Sequence, residues 1–251
     1  MLWQERGGRG QHACLLLHGL GATGAVWHGL TREIERSGRA EWTVVDLPGH
    51  GGSPPAQQYS IGAMAAAVAA VLDRERPYRV IAHSLGVYVG LALASGWFGV
   101  RVASLLGIGP KVTWTDAEVA SMVELARKPA KVFPTEQDAW SRYRKVSGLD
   151  SNIATDEAVL TRGVVATDGG FRLAADPRTP LVAGAPFNTL ASGARCPVLL
   201  ARGATDPMMT LDELRRHCRN AVEIPGTGHN AHVEAPAVML ELSDRLAAAT
   251  S

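Results

Sequence analysis

Short apolar segments alternate with helix-like segments along most of the chain. Six segments, each bounded by turn residues, predict buried strands: 13–19, 41–53, 78–84, 101–109, 196–203 and 220–226. Helical periodicity lies between several of them, as in residues 60–74, where apolar side chains recur on one face. Between the last two segments, a capping-box sequence at Thr210 predicts the start of another helix. Strands that alternate with helices are typical of a parallel sheet covered on both faces. We therefore expect a doubly wound, mostly parallel α/β sheet.

Residues 111–194 break this alternation. Helical segments follow one another here, with a capping-box sequence that begins at Thr115 and a second helix start at Thr135, and no strand pattern separates them. Open α/β sheets bind their ligands at the carboxyl ends of the strands, so a helical insertion between two late strands is expected to cover that edge. We predict a core of residues 1–110 and 195–251 with a helical cap of residues 111–194.

The length, net charge and apolar runs of the chain limit its domain size, its partners and its location. A chain of 251 residues is long enough for one domain with a substantial core, and a net charge of +1 gives no reason to expect nucleic acid or an anionic membrane. No apolar run approaches a membrane span, and the first residues lack the pattern of a secretory signal. The three cysteines have no metal-ligand spacing. We expect a cytoplasmic protein with no nucleic-acid or membrane partner, and its oligomeric state stays open.

The segment RVIAHSLGVYVG, residues 79–90, places polar side chains between a buried strand and an apolar helix. A strand followed by small-x-Ser-x-Gly and a helix is the pattern of a nucleophile elbow, in which a strained turn lifts the serine hydroxyl clear of the sheet. Ala82 and Gly86 are the small residues that such a turn requires. Ser84 is therefore the predicted nucleophile.

A serine hydroxyl needs a base to remove its proton, and the base needs an acid to orient it. Asp206 follows the strand at 196–203 and His229 follows the strand at 220–226, so both lie at the carboxyl edge of the sheet with Ser84. We prefer His229 over His232 as the base because it directly follows a strand-end glycine. His232 is expected to lie at the edge of a helix and to pack with Glu234.

Backbone N–H groups near the serine can stabilise negative charge that develops on a substrate oxygen. The N–H of Leu20, which follows the segment LLLHG, and the N–H of Leu85, which begins the helix after Ser84, are the predicted oxyanion-hole donors. His18 and His50 lie in turn-forming segments and are expected to have structural roles.

The segments HGLG, DLPGHGGS, AHSLG, GATDPM and GTGHNAHVEAP occur in this order. Together they resemble the α/β-hydrolase superfamily, in the branch of small single-domain enzymes with a helical cap, over almost the whole chain. The resemblance implies Ser84 as nucleophile, His229 as base, Asp206 as acid and the N–H groups of Leu20 and Leu85 as oxyanion donors. It implies no metal and no organic cofactor. Ala82 stands where many relatives have glycine, and its small side chain is compatible with the turn.

Large side chains near the predicted site or on the cap are candidates for the substrate pocket. We expect several of them to face an apolar pocket and the others to form the core of the cap; they are Trp27, Trp114, Phe133, Trp140, Tyr143, Phe187, Met208 and Met209. His83, the variable residue of the elbow, is expected to line or support the pocket floor.

Basic residues exceed acidic ones by four between positions 127 and 145. Such an excess is usually a solvated face, and its alternative role is to recognise an acidic partner or a substrate carboxylate. The basic residues are Arg127, Lys128, Lys131, Arg142, Arg144 and Lys145.

These features predict a serine hydrolase that cleaves a small carboxylic ester or lactone with an apolar moiety through an acyl-enzyme. A thioesterase, a hydrolase of carrier-protein esters and a perhydrolase stay open. A carbon–carbon bond hydrolase is disfavoured because Asn230 stands where such enzymes often have tryptophan. Haloalkane and epoxide hydrolases of this fold use an aspartate nucleophile, so the serine at position 84 argues against both. The alternative from another class is a receptor that binds a small molecule without turnover.

Overall fold

The computed structural model describes residues 1–149 and 155–249. Its strands in this part of the chain are β1 Gln4–Gly8, β2 His12–Leu17, β3 Ala40–Val45, β4 Pro77–His83, β5 Arg101–Ile108, β6 Val164–Thr167, β7 Gly170–Leu173, β8 Val198–Gly203 and β9 Val222–Ile224. The helices are α1 His28–Ser37, α2 Ile61–Ala69, α3 Leu85–Ala94, α4 Asp116–Ala126, α5 Glu136–Ser147, α6 Glu157–Arg162, α7 Phe187–Ser192, α8 Leu211–His217, α9 Ala231–Glu234 and α10 Pro236–Ala248.

Seven strands form the central sheet in the order β1-β3-β2-β4-β5-β8-β9. Only β1 is antiparallel to its neighbour, and the remaining pairs are parallel. The chain leaves β2 in one direction to form β3 and returns to form β4 on the other side of β2. Such a reversal of strand order opens a crevice at the carboxyl ends of the two strands. The loops after β2 and β4 therefore meet where a ligand site is expected.

Two apolar cores cover the two faces of this sheet. Strand β2 divides its side chains between them, since Leu15 and Leu17 belong to one core and Leu16 belongs to the other. Helices α2, α3 and α8 contribute to the first core, and α1 and α10 contribute to the second. Every residue of α3 is buried, which explains why its sequence is apolar on all sides. The predicted doubly wound sheet is thus confirmed.

Some elements differ from those that the sequence predicts. The helix predicted over 60–74 ends at Ala69, and neither β1 nor α1 was among the predicted elements. The strand β1 has the sequence QERGG, whose polar side chains and glycines give no strand pattern, and it forms because it completes the edge beside β3. Within residues 1–149 and 155–249, no helix has both the length and the apolar character needed to cross a lipid bilayer.

The inserted segment, residues 111–194, lies between β5 and β8 and contains α4, α5, α6 and α7. The expectation that it holds no strand is wrong, because β6 and β7 form an antiparallel hairpin in it. The hairpin loop is Asp168-Gly169, a dipeptide that favours the tight turn between two strands. The capping boxes at Thr115 and Thr210 do form, and they begin α4 and α8.

A buried carboxylate joins the inserted segment to the sheet. The side chain of Asp46, which follows β3, is fully buried and accepts hydrogen bonds from the backbone N–H groups of Gly24 and Gly52 at 2.6 and 2.8 Å. Its Oδ2 also accepts from the guanidinium of Arg162, the last residue of α6, at 2.8 Å. The guanidinium lies over the ring of Trp3, 3.8 Å from its centroid. Asp46 therefore holds two loops and α6 at one point.

We expect Asp46→Ala to lower the free energy of unfolding by about 3–5 kcal/mol, because the change leaves a partly buried Arg162 and two N–H groups without their acceptor. Urea denaturation followed by circular dichroism would measure the loss. Glu124→Ala is the control, since the Glu124–Arg127 pair lies on the exposed face of α4 and should cost less than about 0.5 kcal/mol. An equal effect of the two substitutions would contradict this account of Asp46.

Candidate active site

Ser84 lies in a strained turn between β4 and α3. Its φ and ψ are 49° and −113°, and it is the one non-glycine residue with positive φ in the part of the chain that the structure describes. A Cβ on Gly86 would lie 2.2 Å from the carbonyl oxygen of Leu17, so only glycine lets α3 approach β2 this closely. The hydroxyl of Ser84 does not cap α3. A strained backbone that is held in this way is typical of functional positions.

Asp206 and His229 form a hydrogen-bonded pair at the ends of β8 and β9. Asp206 is 4% exposed, and its Oδ2 lies 2.9 Å from Nδ1 of His229. Its Oδ1 accepts a hydrogen bond from the backbone N–H of Met208 at 2.9 Å. An ionised carboxylate can only accept, so Nδ1 of neutral His229 carries the proton. Nε2 of His229 is therefore left as the basic nitrogen of the ring.

Polar side chains fix the loops that carry this pair. The guanidinium of Arg202 donates a 2.6 Å hydrogen bond to the backbone oxygen of Asp206 and pairs with Glu223. The carboxylate of Glu234 accepts the N–H of Gly228, the residue before His229, at 3.0 Å. Glu234 is thus hydrogen-bonded to this loop, and neither ring nitrogen of His232 has a described partner, so no hydrogen bond joins the two residues that the sequence predicts to pack together.

The residues around Leu20 hold its backbone in place. The N–H of Gly21 donates to Nε2 of His50 at 3.1 Å, and the N–H of Ala22 donates to the carbonyl of Gly19 at 3.2 Å. Leu85 is the first residue of α3, so its N–H has no partner within the helix. Leu20 and Leu85 line the same cavity as Ser84.

This cavity has a volume of about 430 Å³ and joins the strand ends to the inserted segment. Ser84, His229, Leu20 and Leu85 line its sheet side. Apolar side chains that the sequence analysis did not single out as pocket residues line much of the remainder: Ile61, Tyr88, Met122, Leu125, Val146 and Val182. The helical stripe of α4 includes Met122, but sequence periodicity does not show which cavity a helix face meets.

Of the nine pocket candidates, Phe133 and Met209 are buried and absent from the described lining of the cavity, and the other seven fall into two groups. Three of them line the cavity: His83, Trp114 and Met208. The other four are absent from its described lining and lie in or against the apolar cores: Trp27, Trp140 and Tyr143 on the α1 side of the sheet, and Phe187 on the α3 side. Large aromatic side chains bury the most apolar area in a core, which explains why these four are drawn there.

Three basic side chains line the same cavity, and no acidic side chain belongs to its described lining. Lys111 makes an ion pair with Glu118 at 2.9 Å. Arg142 and Lys145, one turn apart on α5, make no ion pair with any described residue. Of the six basic residues between positions 127 and 145, these two reach the cavity.

Four buried histidines surround the strand ends. Burial lowers the pKa of His18 to about 4 and the pKa values of His50 and His232 to about 3, and it lowers the pKa of His83 well below its ordinary value. His18 accepts a hydrogen bond from the N–H of Leu47 and lies 2.8 Å from the carbonyl oxygen of Gly19. The expected structural roles of His18 and His50 agree with these contacts. Over the described residues, no group of three or more His, Cys, Asp or Glu is arranged to hold a metal ion.

The strand order, with a strained serine at the reversal point, defines the α/β-hydrolase class of fold. A model of the alpha/beta hydrolase family matches residues 14–242, and the chain belongs to this family.

Curated relatives include lipase LipV of Mycobacterium tuberculosis, 30% identical over 172 residues that cover 66% of this chain and 63% of the lipase. A pimeloyl-(acyl-carrier protein) methyl ester esterase of Aeromonas hydrophila is 41% identical over 93 residues, which cover 36% of this chain and 33% of the esterase. The chain thus spans less than two thirds of the length of either relative.

Among solved structures, the thioesterase domain from the curacin biosynthetic pathway has the same fold, with a TM-score of 0.77 and 20% identity. The match covers 96% of this chain and 94% of the domain.

We expect the free energy of unfolding to fall as the pH is lowered from 6.5 towards 4. The four buried histidines, His18, His50, His83 and His232, become protonated near pH 6.5 in the unfolded chain, whereas the native state keeps them neutral. Unfolding therefore takes up protons in this pH range. Each histidine contributes up to about 1.4 kcal/mol per pH unit, and the stabilisation is complete above pH 6.5.

Urea denaturation at pH 7, 6 and 5 would measure this slope. The slope is proportional to the number of protons taken up on unfolding. His50→Gln should reduce that number by about one, and replacement of the exposed His12 by glutamine should leave the slope unchanged. Equal slopes for wild type and His50→Gln would show that His50 does not contribute.

Proposed function

We propose that the chain is a serine hydrolase that cleaves a small carboxylic ester through an acyl-enzyme intermediate. The observation that carries this proposal is the placement of Ser84 and the Asp206–His229 pair around one cavity, with the serine in a strained turn. The relatives named lipase and methyl ester esterase support the same reaction class.

In this mechanism Nε2 of His229 removes the proton from Ser84 as its Oγ attacks the carbonyl carbon of the ester. The carboxylate of Asp206 keeps the proton on Nδ1 and stabilises the imidazolium that forms. His229 then donates its proton to the leaving alcohol, and the acyl group stays on Ser84. In the second half, His229 deprotonates a water molecule, which hydrolyses the acyl-enzyme and restores the serine.

The tetrahedral intermediates of both halves carry a negative oxygen. The N–H groups of Leu20 and Leu85 are the proposed donors to this oxygen, because both residues line the same cavity as Ser84 and the loop around Leu20 is held by His50. Donors that are fixed before the reaction need not reorganise when the charge develops, which is the source of their catalytic effect.

The cavity suggests which esters are accepted. Its apolar lining favours substrates with an apolar acyl or alcohol part, and a volume of about 430 Å³ suits a small ligand. Lactones remain substrates of the same chemistry, since a lactone is an internal ester. We also propose that residues 111–194 act as a cap, because residues of α4 and α5 line the same cavity as Ser84.

We expect Ser84→Ala to reduce kcat for p-nitrophenyl esters by at least about 10⁴-fold and Asp206→Asn by about 10⁴-fold. The first change removes the nucleophile, and the second removes the acceptor that fixes the tautomer of His229. Initial rates on esters of increasing acyl length and on simple lactones would measure both effects.

His12→Gln is the control for these assays, because His12 is exposed at the start of β2, and it should keep the wild-type kcat. Turnover by Ser84→Ala at the wild-type rate would end the serine mechanism. Tight binding of a small molecule without turnover by the wild type would instead identify a receptor.

A second candidate is an esterase or thioesterase for substrates with an anionic tail, including carrier-protein esters. The specific observation is the pair Arg142 and Lys145, which lines the cavity on α5 and has no described ion-pair partner. The name of the Aeromonas relative, a methyl ester esterase for a carrier-protein substrate, agrees with this candidate.

If this candidate is correct, the double substitution Arg142→Glu and Lys145→Glu lowers kcat/KM for monomethyl esters of dicarboxylic acids by about 10-fold or more, since like charges repel in the cavity. Methyl esters of uncharged acids of equal length should change by less than about twofold. Arg127→Glu with Lys128→Glu is the control, because these residues are absent from the described lining of the cavity. Equal losses for charged and uncharged esters would exclude recognition of the anion.

A further inference from the structure

His83 contacts each of the three chain segments on which the proposed chemistry depends. It directly precedes Ser84, at the end of β4. Its Nε2 lies 3.0 Å from the backbone oxygen of His229. Its other nitrogen faces the loop before Leu20, because a Cβ on Gly19 would lie only 2.8 Å from Nδ1 of His83. One imidazole ring therefore spans the nucleophile, the base and the oxyanion loop.

The bond to His229 has a defined direction. A carbonyl oxygen can only accept a hydrogen bond, so Nε2 of His83 must carry the hydrogen. The ring is 2% exposed, and burial keeps the pKa of His83 well below its ordinary value, so neutral His83 holds its proton on Nε2. A side chain without a donor at this position would leave the His229 carbonyl without this partner.

Two other rings pack directly against the imidazole of His83. His232 is 1% exposed, and its ring centroid lies 4.2 Å from that of His83 at an interplanar angle of 32°. Trp27 in turn packs against His232, with ring centroids 4.6 Å apart. The ring of His229 meets His83 edge-on at 4.7 Å. His83 thus has little freedom to move away from the His229 loop.

We propose that His83 is a positioning residue, which fixes the backbone of His229 relative to Ser84 through its Nε2–H bond. This inference rests on the proposed function, since it concerns how the base is placed. The bond joins the end of β4 to the loop after β9, two strands that are not neighbours in the sheet. It therefore constrains a distance that strand pairing alone does not set. A displacement of about 1 Å between reacting groups can cost about 100-fold in rate.

The test compares two substitutions that differ in their ability to donate. Glutamine can place an amide N–H near the position of the histidine Nε2, whereas methionine has similar length and no donor. His83→Met should lower kcat for a p-nitrophenyl ester by about 10- to 100-fold with KM within about twofold, because the base is misplaced while the cavity is kept. His83→Gln should recover most of the lost kcat.

His217→Met is the control, because His217 is a partly buried ring in edge-on contact with the aromatic ring of Phe187 and is absent from the described lining of the cavity. It should keep kcat within about twofold. Thermal denaturation of all variants would show whether a loss of activity follows a loss of folded protein.

The possible results separate this inference from the proposed function. Wild-type kcat in His83→Met would overturn the positioning role, and so would equal losses in the methionine and glutamine variants. Failure of the wild type to hydrolyse any ester and to react with a fluorophosphonate at Ser84 would overturn the proposed function itself. Reaction of the wild type with the fluorophosphonate, about 10-fold slower reaction of His83→Met and recovery in His83→Gln would support both.

Discussion

The close contact between α3 and the end of β2 is the constraint on which the site depends. Gly86 lies against the carbonyl of Leu17 with no room for a side chain, so the chain must turn sharply from β4 into α3. The turn places Ser84 in a backbone conformation that L-residues rarely adopt. The buried helix and the sheet supply the packing energy that maintains this strain, because all of α3 is within the core. The packing of apolar side chains thus maintains the strained turn that presents the Ser84 hydroxyl at the strand ends.

The order of the strands determines which loops lie next to the Ser84 hydroxyl. Since β2 and β4 are neighbours although β3 lies between them in sequence, the loop with Leu20 adjoins the turn with Ser84. Asp206 and His229 follow β8 and β9, which lie beyond β5 in the sheet, and they reach the same edge three and five residues after these strands end. Each of these loops is held by a side chain outside the proposed triad: Arg202, Glu234 and His50. The geometry of the site therefore also depends on residues that are absent from the described lining of the cavity.

The sequence was informative where a local pattern has a single structural meaning. The elbow around Ser84 and the capping boxes at Thr115 and Thr210 have fixed spacing, and the structure forms these turns and caps at the predicted positions. The hairpin of β6 and β7 was missed although Asp168-Gly169 signals such a turn, because its flanking strands are short. The pocket lining could not be predicted, since the rotation of each helix decides whether an aromatic ring such as that of Tyr143 faces a cavity or a core.

The inserted segment is attached to the sheet unevenly. On the side of α5 and α6 it is held by the ion pair of Arg162 with Asp46 and by the bond from Asn230 to the carbonyl of Gly148. Helix α4 packs chiefly on the short helical turn at Thr179–Val182, and Ala126 is its one buried residue. Yet Met122 and Leu125 of α4 line the cavity. In the proposed hydrolase this part of the wall meets the substrate, yet few of its residues are buried. Substitutions in α4 should therefore cost little stability, so related enzymes can acquire new substrates by divergence there.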